Sequence, residues 1–166
     1  MSSNRLLAAS ASLALSLLGS QAFAEDGKAY PGSACQRQFD HIAATISRSN
    51  ASILNAGSQR VKLFCPVTKD VEAGRIKRAE IVYLDGHSQQ SVTCELMSLS
   101  REGAVVQSSV RSSSAAGVNT TPLPLSFGIH ATNNKGTYVL TCELPPFSGT
   151  GAVGASHIIA YNVVEE

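Results

Sequence analysis

Tyr138-Val-Leu-Thr-Cys142-Glu-Leu-Pro-Pro146 decides how the rest of the chain is read. Leu140, Cys142 and Leu144 fall on one side of an extended backbone, and Thr141 and Glu143 fall on the other. That two-residue period predicts a strand with one buried face. The cluster Thr132-Asn-Asn-Lys-Gly136 ahead of it predicts a turn. Pro145-Pro146 ends the strand, because proline cannot donate to a ladder. A near-copy, Val92-Thr-Cys94-Glu-Leu96, occurs earlier in the chain. Both copies turn their sulfurs to the inward side.

The same alternation recurs on either side. In Arg60-Val-Lys-Leu-Phe-Cys-Pro-Val67, residues Val61, Leu63, Cys65 and Val67 share one face, and Arg60 and Lys62 share the other. Ala79 to Leu84 is a strand closed by the turn dipeptide Asp85-Gly86. Ser91 to Leu99 and Ala104 to Val110 follow. Pro122 to Ile129 is apolar but broken by two prolines, which predicts an edge strand. His157 to Val164 closes the chain, and its near-continuous apolar character predicts cover on both faces. Phe39 to Arg48 fits a helical stripe (Phe39, Ile42, Ala43, Ile46) or a strand, and its β-branched residues favour the strand. Glu25 to Ser33 is a polar, extended lead-in that Cys35 would pin to the body. About seven or eight short strands, with no helix, predict an all-β antiparallel β-sandwich in the immunoglobulin-like or jelly-roll range. A closed barrel is the rival architecture.

Arg5, the apolar run Leu6 to Leu18 and the small residues of Ala22-Phe-Ala24 follow the three-part plan of a secretory signal peptide. The run falls short of the roughly 20 residues a membrane span needs. Residues 1–24 are therefore expected to be removed, leaving residues 25–166 as a single domain, secreted or periplasmic. Loss of Arg5 from the 13 basic residues leaves as many bases as the 12 acids. That balance argues against nucleic acid and against an acidic membrane surface as partners, and no membrane insertion is expected after signal cleavage.

Cys35, Cys65, Cys94 and Cys142 make an even count in an exported chain, which predicts two disulfides with three possible connectivities. The matched inward phase of the two Cys-Glu-Leu strands favours Cys94–Cys142, with Cys35–Cys65 holding the N-terminal segment. No C-x-x-C pair is present, so a zinc cluster is not expected.

Chemistry is hard to find. Gly149-Thr-Gly151-Ala-Val-Gly154 has the glycine spacing of a dinucleotide turn, but Pro145-Pro146 precedes it and the chain ends at Glu166, too soon for the acid that motif requires. His41, His87, His130 and His157 are scattered, with no metal-ligand spacing. There is no G-x-S-x-G and no S-x-x-K. No catalytic, cofactor-binding or metal residue is assigned, and no cofactor is expected. Trp is absent, and Tyr83, Tyr138 and Tyr161 lie in strand patterns, which places them in the core or at its rim. Asp70 and Glu72 are too few for a calcium loop. Asn50-Ala-Ser52 and Asn119-Thr-Thr121 match the glycosylation acceptor pattern, which has no use in a bacterial export pathway of the kind the leader suggests.

Tyr30-Pro-Gly-Ser-Ala-Cys35, Cys65-Pro-Val67, Tyr138 to Pro146 and Tyr161-Asn-Val-Val-Glu165 together resemble a loosely defined family of small secreted bacterial proteins without an established activity. The resemblance implies export and a disulfide-bonded β fold, and it transfers no functional residue. The expectation is a non-enzymatic binding or structural module whose partner is an envelope or extracellular protein or a glycan. The loops Thr68–Arg78, Arg111–Thr121 and Phe147–Ser156 are the expected contact surfaces. A secreted enzyme assembled from separate strands and a passive surface component are the alternatives.

Overall fold

The computed structural model describes residues 26–38, 45–70, 75–114, 123–127, 136–149 and 154–165. The leader, His41, His130, most of the turn before Tyr138 and the centre of the glycine motif lie outside the described residues.

Eleven described strands form two antiparallel sheets: β1 (Asp26–Pro31), β2 (Gln36–Arg37), β3 (Ile46–Arg48), β4 (Ile53–Asn55), β5 (Val61–Cys65), β6 (Ile76–Leu84), β7 (Thr93–Leu99), β8 (Val105–Ser112), β9 (Leu123–Phe127), β10 (Thr137–Leu144) and β11 (His157–Glu165). A 3-10 turn, Gly32–Ala34, separates β1 from β2. One sheet runs β3-β4-β11-β6-β9, with β1 added beside β11, and the other runs β2-β5-β10-β7-β8.

The pairs β7–β8, β6–β9, β5–β10 and β4–β11 are nested antiparallel hairpins. Rolling that ribbon up adds β10–β7 and β11–β6 and splits the pairs between two sheets. Eight strands in the orders 4-11-6-9 and 5-10-7-8 make a jelly roll, which resolves the expected range of sandwiches to one member. Strands β1, β2 and β3 are short additions from the N-terminal side.

The core lies between the sheets. Leu63, Leu96, Leu140 and Leu144 of the five-stranded sheet meet Ile53, Ile81, Ile158, Tyr161 and Val163 of the six-stranded one, and all are fully or nearly fully buried. Burying each such side chain stabilises the fold by about 1.5–3 kcal/mol before entropy is counted. The two-residue alternation of Tyr138–Leu144 therefore has the cause expected of it, except that Thr141 on the outer face is covered as well, at 4 % exposure.

The disulfides join Cys35 to Cys65 and Cys94 to Cys142. Both bonds lie within the five-stranded sheet, between neighbouring strands. Cys94 stands directly opposite Cys142, and Cys35 continues the register in which Gln36 faces Phe64. Their Cα atoms are 4.0 and 4.1 Å apart, the close approach of a non-hydrogen-bonded pair.

Several boundaries differ from the sequence reading. The lead-in is strand β1, paired along its length with β11 from Asp26–Glu165 to Pro31–Ala160. The loop expected over Thr68–Arg78 ends earlier, because Ile76 is buried and its amide donates to the Tyr138 hydroxyl at 3.0 Å. Lys77 and Arg78 are exposed residues of a strand, not of a loop. The loop expected from Arg111 starts later, since Arg111 and Ser112 still pair with Cys94 and Thr93. Strand β9 is an edge strand, as Pro124 within it requires. Strand β11 is central, flanked by β6 on one side and by β4 and β1 on the other. Its inward residues are buried, while Ile159, Ala160 and Asn162 are half-buried.

Candidate functional site

The outer face of the five-stranded sheet carries side chains in cross-strand rows. Gln36, Phe64, Thr141, Glu95 and Val110 form one row across all five strands. With strands about 4.8 Å apart the row spans about 19 Å. The next row toward β5's start holds Lys62, Glu143, Thr93 and Ser112, and the row on the other side holds Val139, Met97 and Ser108. Phe64 is 37 % exposed, which no other described aromatic side chain reaches. Phase puts it there: Val61, Leu63 and Cys65 face in, so Phe64 must face out beside Lys62. That outward phase is legible in the sequence from the residues on either side of Phe64.

Polar pairs lie across the same face, on β7 and β8 and at the end of β10. Ser108 Oγ donates to Glu95 Oε1 at 2.6 Å. The Thr93 and Ser112 hydroxyls are 3.0 Å apart. Arg60 Nη1 reaches Glu143 Oε2 at 3.4 Å, and its Nη2 donates to Gln90 Oε1 at 3.0 Å. These contacts are exposed and of low energy, so a ligand's hydroxyls can exchange with them. The face thus offers an apolar ring set among donors and acceptors.

Gln36 also lines a cleft of about 760 Å³ at the seam where β2 of one sheet approaches β3 of the other. Ser33, Arg37, Thr45, Ile46 and Arg48 line it as well. Strand β2 has two paired residues, and the Cys35–Cys65 bond fixes it to β5. Arg48 Nη2 donates to the Cys35 carbonyl at 3.4 Å, and Ser33 N donates to Ala51 O at 3.1 Å.

The three expected contact loops divide between opposite ends of the sandwich. Strand directions place the connections after β4, β6, β8 and β10 at one end, with those after β5, β7 and β9 at the other. The described roots of Arg111–Thr121 and Phe147–Ser156 therefore share an end, and those of Thr68–Arg78 are at the opposite one. Asp85, 1 % exposed, joins the roots of the first two. Its Oδ2 accepts from Ser113 Oγ and from Val92 N at 3.2 Å. Its Oδ1 accepts from Ser156 Oγ and from His87 N, both at 3.1 Å. The turn dipeptide Asp85-Gly86 is thus also a buried tie between three connections.

The other candidates have structural tasks. His87 Nδ1 accepts the amides of Gln89 and Gln90 at 3.0 Å each. His157 is half-buried at the start of a central strand, not at an edge, and burial lowers its pKa, favouring the neutral ring. Tyr161 donates to the Pro66 carbonyl at 2.8 Å and stacks on Tyr30 at 4.8 Å. Burial, and secondarily Tyr30, pushes its pKa up, and burial and then Asp85 raise that of Tyr83. These phenols are neutral core groups and not a stacking surface for a ligand. In the glycine motif, Gly149 and Gly154 close the neck of a loop: a Cβ on Gly154 would lie 2.4 Å from the Gly149 nitrogen, and Ser148 N donates to Gly154 O at 3.2 Å. Among the described residues no group of three or more His, Cys, Asp or Glu side chains is placed to hold a metal ion. No helix among them is long and apolar enough to cross a membrane.

No family model matches the chain, and no curated protein matches it. Several solved structures share its fold. BiXyn10A CBM1 is 13 % identical with a TM-score of 0.50, over 84 % of this chain and 96 % of that one. The enzymatically active domain of tailspike protein 4 of bacteriophage CBA120 is 10 % identical with a TM-score of 0.52, over 83 % of this chain and 19 % of that one. The low affinity xylan binding module CBM86 of Roseburia intestinalis is 8 % identical with a TM-score of 0.47, over 85 % of this chain and 96 % of that one. At identities of 10–13 % the likeness to the first two is one of fold alone.

Proposed function

We propose that the chain is an exported, non-catalytic glycan-binding module. The observation that carries this reading is the outer face of the five-stranded sheet, where the exposed Phe64 ring lies in a row with Gln36 and Glu95 and beside Lys62 and Glu143. A sugar presents a C–H face to an aromatic ring and hydroxyls at its rim, and both complements are here on rigid strands. The scaffold is one that the carbohydrate-binding module BiXyn10A CBM1 shares. Two disulfides suit an oxidising compartment outside the cytoplasm.

Electrophoresis of the oxidised protein through gels containing xylan, galactan or polygalacturonate tests the reading. Retardation by at least one glycan is expected, and Phe64→Ala should weaken it about tenfold or more, as loss of a central aromatic anchor does. Phe64 is 37 % exposed and so partly packed, and the same change should lower stability by about 1–2 kcal/mol while leaving the fold intact. Free migration in every gel would sink the glycan reading, and retardation unaffected by Phe64→Ala would move the site off this face.

A protein partner is the second reading. Val105, Val106 and Val110 on edge strand β8 are 58, 46 and 52 % exposed, a surface suited to pairing with another strand. Arg111 covers part of that edge, donating through Nη1 to Val110 O at 2.9 Å and through Nε to Ser126 O of β9 at 3.1 Å.

A further inference from the structure

The opposite face of the sandwich carries outward rows of its own. Across the six-stranded sheet, Ala29 of β1, Asn162 of β11, Glu80 of β6 and Ser126 of β9 stand side by side, and Gly27, Val164 and Arg78 do so in the next row. Phase sets their direction, because the alternate residues Tyr161, Val163, Ala79 and Ile81 are buried in the core. The small residues Gly27 and Ala29 lower the surface at β1, and a trough of about 250 Å³ lies between β1 and β6 with β11 as its floor. Gly27 and Ala29 are exposed on its open side. Arg78, Glu80 and Asn162 line it, and among the described residues none of these three side chains makes a hydrogen bond or ion pair. Lys28, at the same place, is by contrast committed to Glu165.

We propose that this trough is a second glycan site, which takes one neutral sugar unit through its hydroxyls. The inference rests on the glycan reading and adds a site on the face away from Phe64. The side chains select the class of ligand. A carboxylate only accepts hydrogen bonds and a guanidinium only donates them, whereas a carboxamide does both. Glu80 and Asn162 are cross-strand neighbours, about 5 Å apart at Cβ. Arg78 is two residues from Glu80 on the same face, about 7 Å along the strand. A ring bearing several hydroxyls matches three groups of mixed polarity at that spacing, since each hydroxyl donates and accepts. The charges of Arg78 and Glu80 cancel, which favours a neutral ligand over an anion. The described lining contains no aromatic side chain, so hydrogen bonds make the contact and this is the weaker of the two sites. With a site on each face, one molecule can join two glycan chains.

The test is amide chemical-shift mapping of the oxidised protein titrated with xylotriose and with galactotriose, with glycine as a zwitterion control. At least one trisaccharide should shift two separate groups of amides, one around Phe64 and one over residues 27–29, 78–80 and 160–164. Glu80→Gln and Asn162→Ala should each weaken the titration of the second group about fivefold or more, the effect of losing one good hydrogen bond, and leave the first unchanged. Gly27→Val tests the trough without touching its polar groups. A Cβ there meets only Val164 Cγ2, at 3.9 Å, so the new side chain fits and should block the site. Phe64→Ala should remove the first group of shifts and spare the second. Shifts around Phe64 alone would overturn the trough and leave the Phe64 reading standing. Shifts over the trough alone would uphold it and move the glycan reading to this face. Shifts there with glycine and with neither sugar would overturn the ligand class. No shifts with either sugar would overturn both sites. The three trough variants should keep the thermal midpoint of the parent, so that lost binding is not lost folding.

Discussion

Gly32 shows how much a single position can decide. It is buried against β11, and a Cβ added there would lie 2.0 Å from the Ile158 carbonyl oxygen and 2.6 Å from its carbon. Those are backbone atoms of a central strand, which cannot give way as the tip of a side chain could. Gly32→Ala should therefore destabilise the fold by about 1–3 kcal/mol, the cost of overpacking, readable as a lower midpoint in urea. An unchanged midpoint would mean the 3-10 turn can move off β11. The segment Tyr30-Pro-Gly-Ser-Ala-Cys35 thereby acquires physical meaning: Tyr30 stacks on Tyr161, Gly32 lies on Ile158 and Cys35 bonds to Cys65. Nothing in those letters alone shows that Tyr30 and Gly32 meet residues more than a hundred positions along the chain. Phe64 is the opposite case, because its outward phase follows from its neighbours in sequence.

Strands with one buried face were legible, and strands whose cause lies elsewhere were not. β7 and β10 alternate because their inward residues meet a core, so period alone locates them. β1 has no such pattern, and its extended form comes from pairing with β11, a tertiary cause. The seam cleft was illegible for the same reason, since it exists only where β2 and β3 of different sheets converge. The two disulfides act on very different elements. Cys94–Cys142 joins strands already paired over seven register positions, whereas Cys35–Cys65 holds a two-residue strand. Either loss should lower global stability by about 2–5 kcal/mol, well beyond His157→Ala. In Cys35→Ser/Cys65→Ser, amide exchange should also rise selectively over residues 32–38, as a local opening would produce. Uniform exchange across the chain would show that β2 is held by something other than its disulfide.

Across the whole molecule, one buried ion pair ties the first described strand to the last. Lys28 Nζ lies 2.8 Å from Glu165 Oε2 and 3.1 Å from Asp70 Oδ2, and the Glu165 side chain is fully buried. The Asp70 amide also donates to Glu165 Oε2 at 3.2 Å, while Oε1 has no hydrogen-bond partner. Lys28→Met alone should cost about 3–5 kcal/mol, because it strands a buried carboxylate, and adding Glu165→Leu should restore most of the loss. Denaturant unfolding of both variants checks this, and a double variant no better than the single one would show that the pair sets register as well as charge. β11 gives this tie its reach, since one strand pairs with β1, β4 and β6. Seen from synthesis, the six-stranded sheet has no centre until residues 157–165 are free to pair. The nested hairpins close from the β7–β8 tip outward, and each later pair bridges a longer stretch of chain, a topology that folds slowly. The five-stranded sheet can pair as soon as β10 is free, but the six-stranded sheet it packs against stays open until the final strand arrives. Until β11 pairs, the inward side chains of the five-stranded sheet have only part of a surface to close against, and the fold commits when that one strand takes its place.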